Sequence, residues 1–382
     1  MAPRIEAIIN SELLVWARDS ASLSLEAAAK KAHVRPELLM EWESGAVRPT
    51  VSQLRLLAEA YKRPLAVFYL PKPPKSFDAL RDFRGAGGST AKGSPALAYE
   101  IRRAHERREI ALDLFDELGE SASTAKLAAR TTDAPETVAA ELRAMLEVTL
   151  ARQRQWNSEY TAFGNWRDAI EDSGILVFQM SGVPVSEARG FSISVKPLPV
   201  IVMNGKDSYA GRIFTMMHEL AHLALREGGI CDLDEHGLEV FCNAVAGALL
   251  VPAEALLGDS EIRNAQKPSN WPEETIQRLS KEFRVSREVI VRRLLTVGKT
   301  TPAFYELKRR AYAAELARRP PPTGGPPPPA LAVARAGKLF TGVVVRSYSE
   351  GRITSADASD FLSLKLRHLP EVMKALRVGL PA

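Results

Sequence analysis

The chain has 382 residues, with 51 Lys and Arg against 46 Asp and Glu and a net charge of +5. Its 46% hydrophobic and 25% charged residues are typical of globular proteins, which excludes a disordered chain, collagen and a disulfide scaffold and predicts two or three domains. Neither a run of about 18 apolar residues nor the apolar stretch of a signal peptide occurs, so we expect a cytoplasmic protein without a membrane partner, with Cys231 and Cys242 reduced.

Residues 5 to 70 are predicted to form a series of short helices. Pro36 suits the first turn of the third helix, and Gly45 is a natural end for it. Thr50 is a predicted N-cap of the next helix. The series ends at Pro71-Lys72-Pro73-Pro74, which cannot continue a helix.

This segment resembles an Xre-type, lambda-repressor-like helix-turn-helix domain, on the residues Leu23 to Ala32, Trp42-Glu43-Ser44-Gly45 and Arg48-Pro49-Thr50. The resemblance implies that residues 1–71 bind double-stranded DNA, with the third helix in the major groove. The candidate DNA-binding residues are Arg35, Glu37, Met40, Glu41 and Arg48.

The charge of this segment is modest for a DNA-binding domain. Residues 1–75 contain 11 Lys and Arg and 8 Asp and Glu, a net charge of only +3. A monomer is therefore expected to bind DNA weakly, and a homodimer would double the contacts. The alternative is a retained fold that binds protein or holds the neighbouring domain.

Residues 72–149 are predicted to be a loop and a helical connector. The stretch Arg84 to Thr90 is rich in Gly and predicts the loop. The basic segment Arg102 to Arg108 could contact phosphate, but a solvated helix face is the favoured interpretation. After Gly174 the pattern changes to short runs rich in Val, Ile and Phe, which predict about three strands. These runs are Ile175–Met180, Phe191–Val195 and Val200–Met203. The predicted fold class is therefore mainly α with a small β-sheet, α+β.

A candidate metal site follows in a predicted helix that begins at Tyr209. His218 and His222 are four residues apart and lie on one helix face, so both imidazoles can bind one Zn²⁺. Glu219 lies about 100° around the helix and can reach a metal-bound water. A catalytic zinc needs three protein ligands and an open position.

The third ligand must come from elsewhere. A histidine six residues after His222 would serve, but Gly228 occupies that place. A glutamate on the following helix is the other option, and Glu239 is our candidate because small residues around Ala246 would let the two helices approach closely. The alternatives lie in or near the intervening loop and are Cys231, Asp232, Asp234 and His236.

This constellation predicts zinc-dependent amide hydrolysis with one Zn²⁺ per chain. Glu219 would accept the proton of the zinc-bound water and pass it to the leaving amine. Tyr209, Arg212 and His236 are candidate oxyanion donors. The edge of the small sheet, in the 190 to 204 region, could bind an extended peptide by strand addition.

The residues Arg212 to His222, with Asn204 before them and Glu239 to Pro252 after them, resemble the ImmA/IrrE metallopeptidase family. By position, the resemblance implies that His218, His222 and Glu239 bind zinc and that Glu219 is catalytic. It implies a zincin-like metallopeptidase domain, which we place at 150–317, and a protein substrate of the repressor or regulator type.

The C-terminal region begins with a Pro/Gly-rich linker at 318–330. Residues 331–382 are predicted to be a small helical unit, with Thr354 as a helix cap. The leading hypothesis is a DNA-binding regulator fused to a zinc endopeptidase. A competing hypothesis is a non-proteolytic, antitoxin-like regulator with a structural or sensory zinc. A third is cleavage of the chain itself, at the loop of 84–93 or the linker, or of a partner.

Overall fold

The structure is a computed structural model that describes residues 6–73, 94–123, 125, 128–227, 235–265, 270–318 and 327–379. The chain divides into two compact units, Met1–Arg103 and Ala104–Ala382. The Gly-rich loop of 84–93 and most of the linker predicted at 318–330 lie outside the described residues. No helix within the described ranges has both the length and the apolarity that a membrane span requires.

The first unit is helical, as predicted. Its elements are α1 (Glu12–Ser20), α2 (Leu25–Lys31), α3 (Pro36–Glu43), α4 (Val51–Tyr61), a 3-10 helix (Leu65–Tyr69) and the start of α5 (Pro95–Glu117). The Thr50 side chain caps α4 through a capping box with Gln53. Gly45 has a φ of +76°, a left-handed conformation that suits the end of α3. The helices enclose a core built around the fully buried side chains of Leu39, Leu54 and Leu57.

The basic segment on α5 is structural, so the favoured interpretation as a solvated helix face was wrong. In the first unit, buried Arg102 donates to the backbone oxygens of Ser20 and Tyr61. In the second unit, Arg108 is buried and its guanidinium donates to the carbonyl oxygens of Leu198 at 3.0 Å and Pro197 at 2.6 Å. These guanidinium groups satisfy backbone acceptors inside the protein, which removes them from solvent.

The second unit combines helices with one small sheet. The helices before and around the sheet are α6 (Pro135–Met145), α7 (Leu150–Arg154), α8 (Glu159–Asp172), α9 (Tyr209–Glu227) and α10 (Glu235–Leu250). They are followed by α11 (Ala253–Gly258), α12 (Ser260–Asn264), α13 (Glu273–Phe283), α14 (Arg287–Thr296) and α15 (Pro302–Arg318). The C-terminal helices are α16 (Pro328–Ala336), α17 (Lys338–Ser349), α18 (Ser355–Phe361), a 3-10 helix (Leu366–His368) and α19 (Leu369–Gly379).

The three predicted strands form one sheet with the order β1-β3-β2. Strand β1 (Leu176–Met180) pairs parallel to β3 (Val200–Asn204), and β2 (Gly190–Ile193) pairs antiparallel to β3. The α+β fold class is therefore confirmed. Strand β2 ends at Ile193, two residues before the predicted end at Val195, and a cis Lys196–Pro197 peptide bond lies in the segment that follows.

The sheet is covered on both faces. Val177, Ile201 and Met203 belong to the main core, with apolar residues of α8, α9 and α10. On the opposite face of the sheet, Phe178 of β1 packs edge-to-face against Phe340 of α17, with 5.8 Å between ring centroids. The C-terminal helices thus cover a face that a three-stranded sheet would otherwise expose.

The connector also contributes to the main core. Buried apolar residues between Ala125 and Val148 belong to the same cluster as those of α9 and α10, and α6 packs against α10. The helix α6 begins at Pro135, which suits a first helical position. The buried apolar residues of this segment that the structure describes therefore support the helix that carries Glu239.

Candidate functional site

Helix α9 carries the two histidines and the glutamate between them. Its N-terminus is fixed by Ser208, whose side chain accepts from the Gly211 backbone N–H at 3.0 Å. Ile213, Met217 and Leu220 on the inner side are fully buried. This burial orients α9, so that the stripe with His218 and His222 faces α10.

Helix α10 brings Glu239 to the two imidazoles. Ala246 is buried two turns after Glu239 on the same helix face, and its small side chain suits the close packing of α9 and α10 that the sequence predicted. One Glu239 oxygen lies 3.3 Å from His218 Nε2, and the other lies 3.2 Å from His222 Nε2. The two Nε2 atoms are 3.1 Å apart. The structure therefore brings together the three residues that we predicted as metal ligands.

The chemistry of this group fits a divalent cation. One possible ligand atom from each of His218, His222 and Glu239 lies within 4.8 Å of the others. The two imidazole nitrogens and the carboxylate oxygens point into one small space, which is how protein ligands surround a bound cation. Two nitrogens and one carboxylate are a typical donor set for catalytic zinc.

The electrostatics of the group agree with this interpretation. Burial lowers the pKa of His218, but the hydrogen bond to Glu239 and the charges of Glu219 and Glu239 outweigh burial and raise it overall. Hydrogen bonds from His218 and His222 hold the pKa of Glu239 well below its usual range. Glu239 therefore stays ionised, as a metal ligand must.

Of the alternative third ligands, the structure describes only His236, which is not part of this group. His236 is exposed near the start of α10. Cys231, Asp232 and Asp234 lie outside the described residues. Cys242, one turn after Glu239 on α10, is fully buried in the core. Among the described residues, only His218, His222 and Glu239 form a cluster able to hold a metal ion.

The carboxylate of Glu219 is held by a residue that the sequence analysis missed. Ser192 on β2 donates from Oγ to Glu219 Oε2 at 2.8 Å, and both residues are buried, with 5% and 8% exposed surface. A signal was present in the sequence, because Ser192 and Ser194 alternate with apolar residues and so share one strand face. Spacing alone did not show that this face meets α9.

Two aromatic side chains and one arginine form a cluster beside His218. The Phe214 ring stacks beside the His218 ring, with 6.5 Å between centroids and 27° between planes. The Arg292 guanidinium lies over both Phe214 and Tyr305, at 5.7 and 5.5 Å from the ring centroids. Glu288 fixes Arg292 through an ion pair of 3.1 Å. These contacts connect α9 to α14 and α15 beside His218.

Two of the candidate oxyanion donors lie at the start of α9. The Tyr209 ring packs against Tyr160 and Phe163, at centroid distances of 5.4 and 5.6 Å. The Arg212 guanidinium lies over Tyr209, and its Nε donates to the Asp207 carbonyl oxygen at 2.8 Å. Tyr209 precedes His218 by nine residues, about 13 Å along the helix axis. These contacts stabilise the start of α9.

In the first unit, the candidate DNA-binding side chains lie on and beside α3. Arg35 precedes the helix, Glu37, Met40 and Glu41 are exposed along it, and Arg48 is exposed in the segment after it. The opposite side of α3 is buried through Leu39 and Trp42. An ion pair of 2.7 Å between Arg18 and Glu43 connects α1 to the end of α3. The exposed face is therefore presented by a fixed helix.

Comparisons with known proteins identify both domains. Residues 170–295 match the family model described as the IrrE N-terminal-like domain, a peptidase family. Residues 14–68 match the model described as helix-turn-helix. The chain therefore contains an Xre-type helix-turn-helix domain and an IrrE-like metallopeptidase domain, as the two resemblances predicted.

No curated protein matches the chain. Among solved structures, a crystal structure of Bacillus thuringiensis PlcR in complex with the peptide PapR7 and DNA aligns at 12% identity. The alignment covers 81% of this chain and 99% of that chain, with a TM-score of 0.16. At this TM-score, the alignment carries no conclusion about the present chain.

Proposed function

For a chain that joins a helix-turn-helix domain to an IrrE-like metallopeptidase domain, we propose a DNA-binding regulator that hydrolyses a peptide bond in a regulatory protein. His218, His222 and Glu239 hold one zinc ion, and Glu219 is the general base. The observation that carries this proposal is the convergence of the three ligand atoms beside a buried glutamate.

The division of work between the residues follows from their positions. Bound zinc supplies Lewis acidity, which polarises a peptide carbonyl and makes water more acidic. Glu219 has Oε2 hydrogen-bonded to Ser192, which leaves Oε1 to accept the proton of the attacking water. When the carbon–nitrogen bond breaks, Glu219 returns that proton to the leaving nitrogen. The products are a carboxylic acid and an amine, and Glu219 is regenerated.

The substrate is proposed to bind as an extended strand along β2. Strand β3 is central, so only β1 and β2 have outer edges. At the outer edge of β1, the Arg167 guanidinium donates to the Val177 carbonyl oxygen at 2.5 Å, and α16 packs alongside. In the part of the chain that the structure describes, no strand pairs with the outer edge of β2. Strand β2 also carries Ser192, whose side chain contacts Glu219. Within the 190–204 region that the sequence predicted to bind an extended peptide, we therefore propose residues 190–193 as the binding edge.

DNA binding is proposed for the exposed face of α3. Arg35 and Arg48 would contact phosphate or base edges, and Glu37, Met40 and Glu41 would face the groove. The net charge of +3 over residues 1–75 supports a homodimer on DNA, because a monomer would have few phosphate contacts. Sedimentation of the chain with and without a DNA duplex tests this dimer.

The peptidase proposal is tested with a proteome-derived peptide library, because the protein substrate is unidentified. Wild type loaded with zinc should generate new N-termini that mass spectrometry detects. Glu219→Gln at equal zinc content and wild type treated with a chelator should not. If wild type and Glu219→Gln give the same peptides, the proposal fails, and the non-proteolytic regulator with a structural or sensory zinc becomes the better account.

A further inference from the structure

The hydrogen bond from Ser192 is the one hydrogen bond that Glu219 receives among the described residues, and it lies between a strand and a helix far apart in sequence. A buried carboxylate without a donor is costly, because desolvation is then uncompensated. The Ser192 hydroxyl supplies that donor and holds Glu219 Oε2 in place. The rest of the Glu219 carboxylate can then move only by rotation about this hydrogen bond.

The close approach of β2 and α9 that allows this bond depends on a glycine. A Cβ at Gly190 would overlap the Thr215 methyl group and would lie 2.8 Å from the Val202 carbonyl oxygen. Thr215 is one turn before Glu219 on α9. Gly190 therefore permits β2 to lie against α9 next to Glu219, the proposed general base.

The backbone of Ser192 faces the outer edge of the sheet, away from β3. The Asn204 N–H donates to the Arg189 carbonyl oxygen at 2.7 Å, so Arg189 and Asn204 form a hydrogen-bonded pair. Antiparallel pairs alternate, so the backbone groups of Phe191 and Ile193 point to β3 and those of Gly190 and Ser192 point outward. A peptide added to β2 would bond to the backbone of the residue that holds Glu219.

We infer that Ser192 is a positioning residue for the peptidase: its side chain orients Glu219 while its backbone binds the substrate strand. The inference rests on the proposed function. It assigns to β2 a role in catalysis as well as in substrate binding. A substrate that pairs with β2 has a set position along the strand, and this position is defined relative to Glu219, the proposed general base.

The test compares zinc-loaded wild type with Ser192→Ala, Ser192→Thr, Glu219→Gln and the control Ser194→Ala. Threonine keeps the hydroxyl and suits a strand. Ser194 is just beyond β2 on the same strand face. Zinc per chain and thermal stability are measured first. Kinetics then use the best-cleaved peptide of the library, and crystal structures locate the Glu219 carboxylate.

We expect Ser192→Ala to retain zinc, to show a displaced Glu219 carboxylate and to lose about 10- to 100-fold in kcat, because small misplacements of catalytic groups cost rates of that order. KM should stay near the wild-type value because the backbone of β2 is intact. Ser192→Thr should recover most of kcat, and Ser194→Ala should behave as wild type.

The inference is overturned if Ser192→Ala keeps the wild-type kcat or an unmoved Glu219 carboxylate. It is also overturned if the loss in Ser192→Ala accompanies loss of zinc and is not reversed by threonine, since Ser192 would then be structural. Cleavage by wild type that Glu219→Gln abolishes separates these outcomes from a failure of the proposed function, in which the two proteins give the same peptides or neither cleaves the library.

Discussion

The Glu171 carboxylate lies against the backbone at Gly337, where the C-terminal helices meet the sheet. Glu171 Oε2 accepts the Lys338 backbone N–H at 3.0 Å. Arg167, one turn earlier on α8, donates to the carbonyl oxygens of Ala334 at 2.7 Å and Val177 at 2.5 Å. This polar contact connects α8, β1 and the start of α17, so we expect the C-terminal helices to be part of the folded peptidase unit.

Gly337→Ala should destabilise the second unit. Gly337 has φ +82° and ψ +157°, a region that is essentially restricted to glycine. An added Cβ would also overlap the Glu171 carboxylate. We expect a loss of about 1–3 kcal/mol, measured by calorimetry. The control is Gly342→Ala on α17, where an added Cβ meets nothing within 4 Å. Equal effects of the two substitutions would contradict the assignment.

Glu171→Gln should change how stability depends on pH. Burial raises the pKa of Glu171 to about 7, although the charge of Arg167 opposes this. The folded state then binds more protons than the unfolded state between the unfolded pKa of 4.5 and about 7. Wild type therefore loses stability as pH rises through this window, and the glutamine variant does not.

Relative to wild type, Glu171→Gln should gain roughly 3 kcal/mol between pH 4.5 and 8, at about 1.4 kcal/mol per unit of pKa. Calorimetry of the second unit across this range checks the sign. Glu159→Gln, at an exposed position on the same helix, should show a much smaller change. A stability difference for Glu171→Gln that falls with pH would refute the prediction.

Glu239→Ala should remove most of the bound metal. Wild type is expected to contain one zinc per chain, and loss of a direct ligand should weaken binding by more than about 100-fold, because even outer partners of metal ligands contribute 10- to 100-fold. Elemental analysis after dialysis measures this. Glu219→Gln and the exposed Glu254→Ala should keep their zinc. Full occupancy in Glu239→Ala would exclude Glu239 as a ligand.

Arg35→Ala and Arg48→Ala should weaken DNA binding. If either side chain contacts phosphate, the slope of log affinity against log salt should fall by about 1. A base contact would instead cost about 1–3 kcal/mol for the preferred sequence. Fluorescence anisotropy with a duplex chosen by in vitro selection measures both. Arg55→Ala removes the same charge from the exposed side of α4 and should have less effect.

Arg108→Ala should destabilise the second unit by about 1–3 kcal/mol, because it removes the donor to the buried carbonyl oxygen of Leu198 and to the partly buried carbonyl oxygens of Val195 and Pro197. Arg108→Lys should recover only part of the loss, since an ammonium cannot reproduce the planar arrangement of donors. Thermal unfolding of the three proteins checks the order. Wild-type stability in Arg108→Ala would show that these hydrogen bonds contribute nothing.

The sequence by itself determined the features that depend on one element. His218 and His222 share a helix face because their spacing is close to one helical turn, and Thr50 caps α4 because its hydroxyl reaches a backbone N–H three residues away. The strand positions also followed from local runs of apolar residues. Such patterns act within one or two turns, so they are readable without knowledge of the fold.

The tertiary structure decided which elements meet. Glu239 was one of several candidate ligands until the packing of α9 and α10 placed it 3.3 Å from His218. Ser192 reaches Glu219 through a strand–helix contact across 27 residues. The burial of Arg108 likewise depends on carbonyl groups about 90 residues away. The periodicity of apolar residues in the sequence shows which face of a helix or strand is buried. Which other element packs against that face depends on the packing of the whole core.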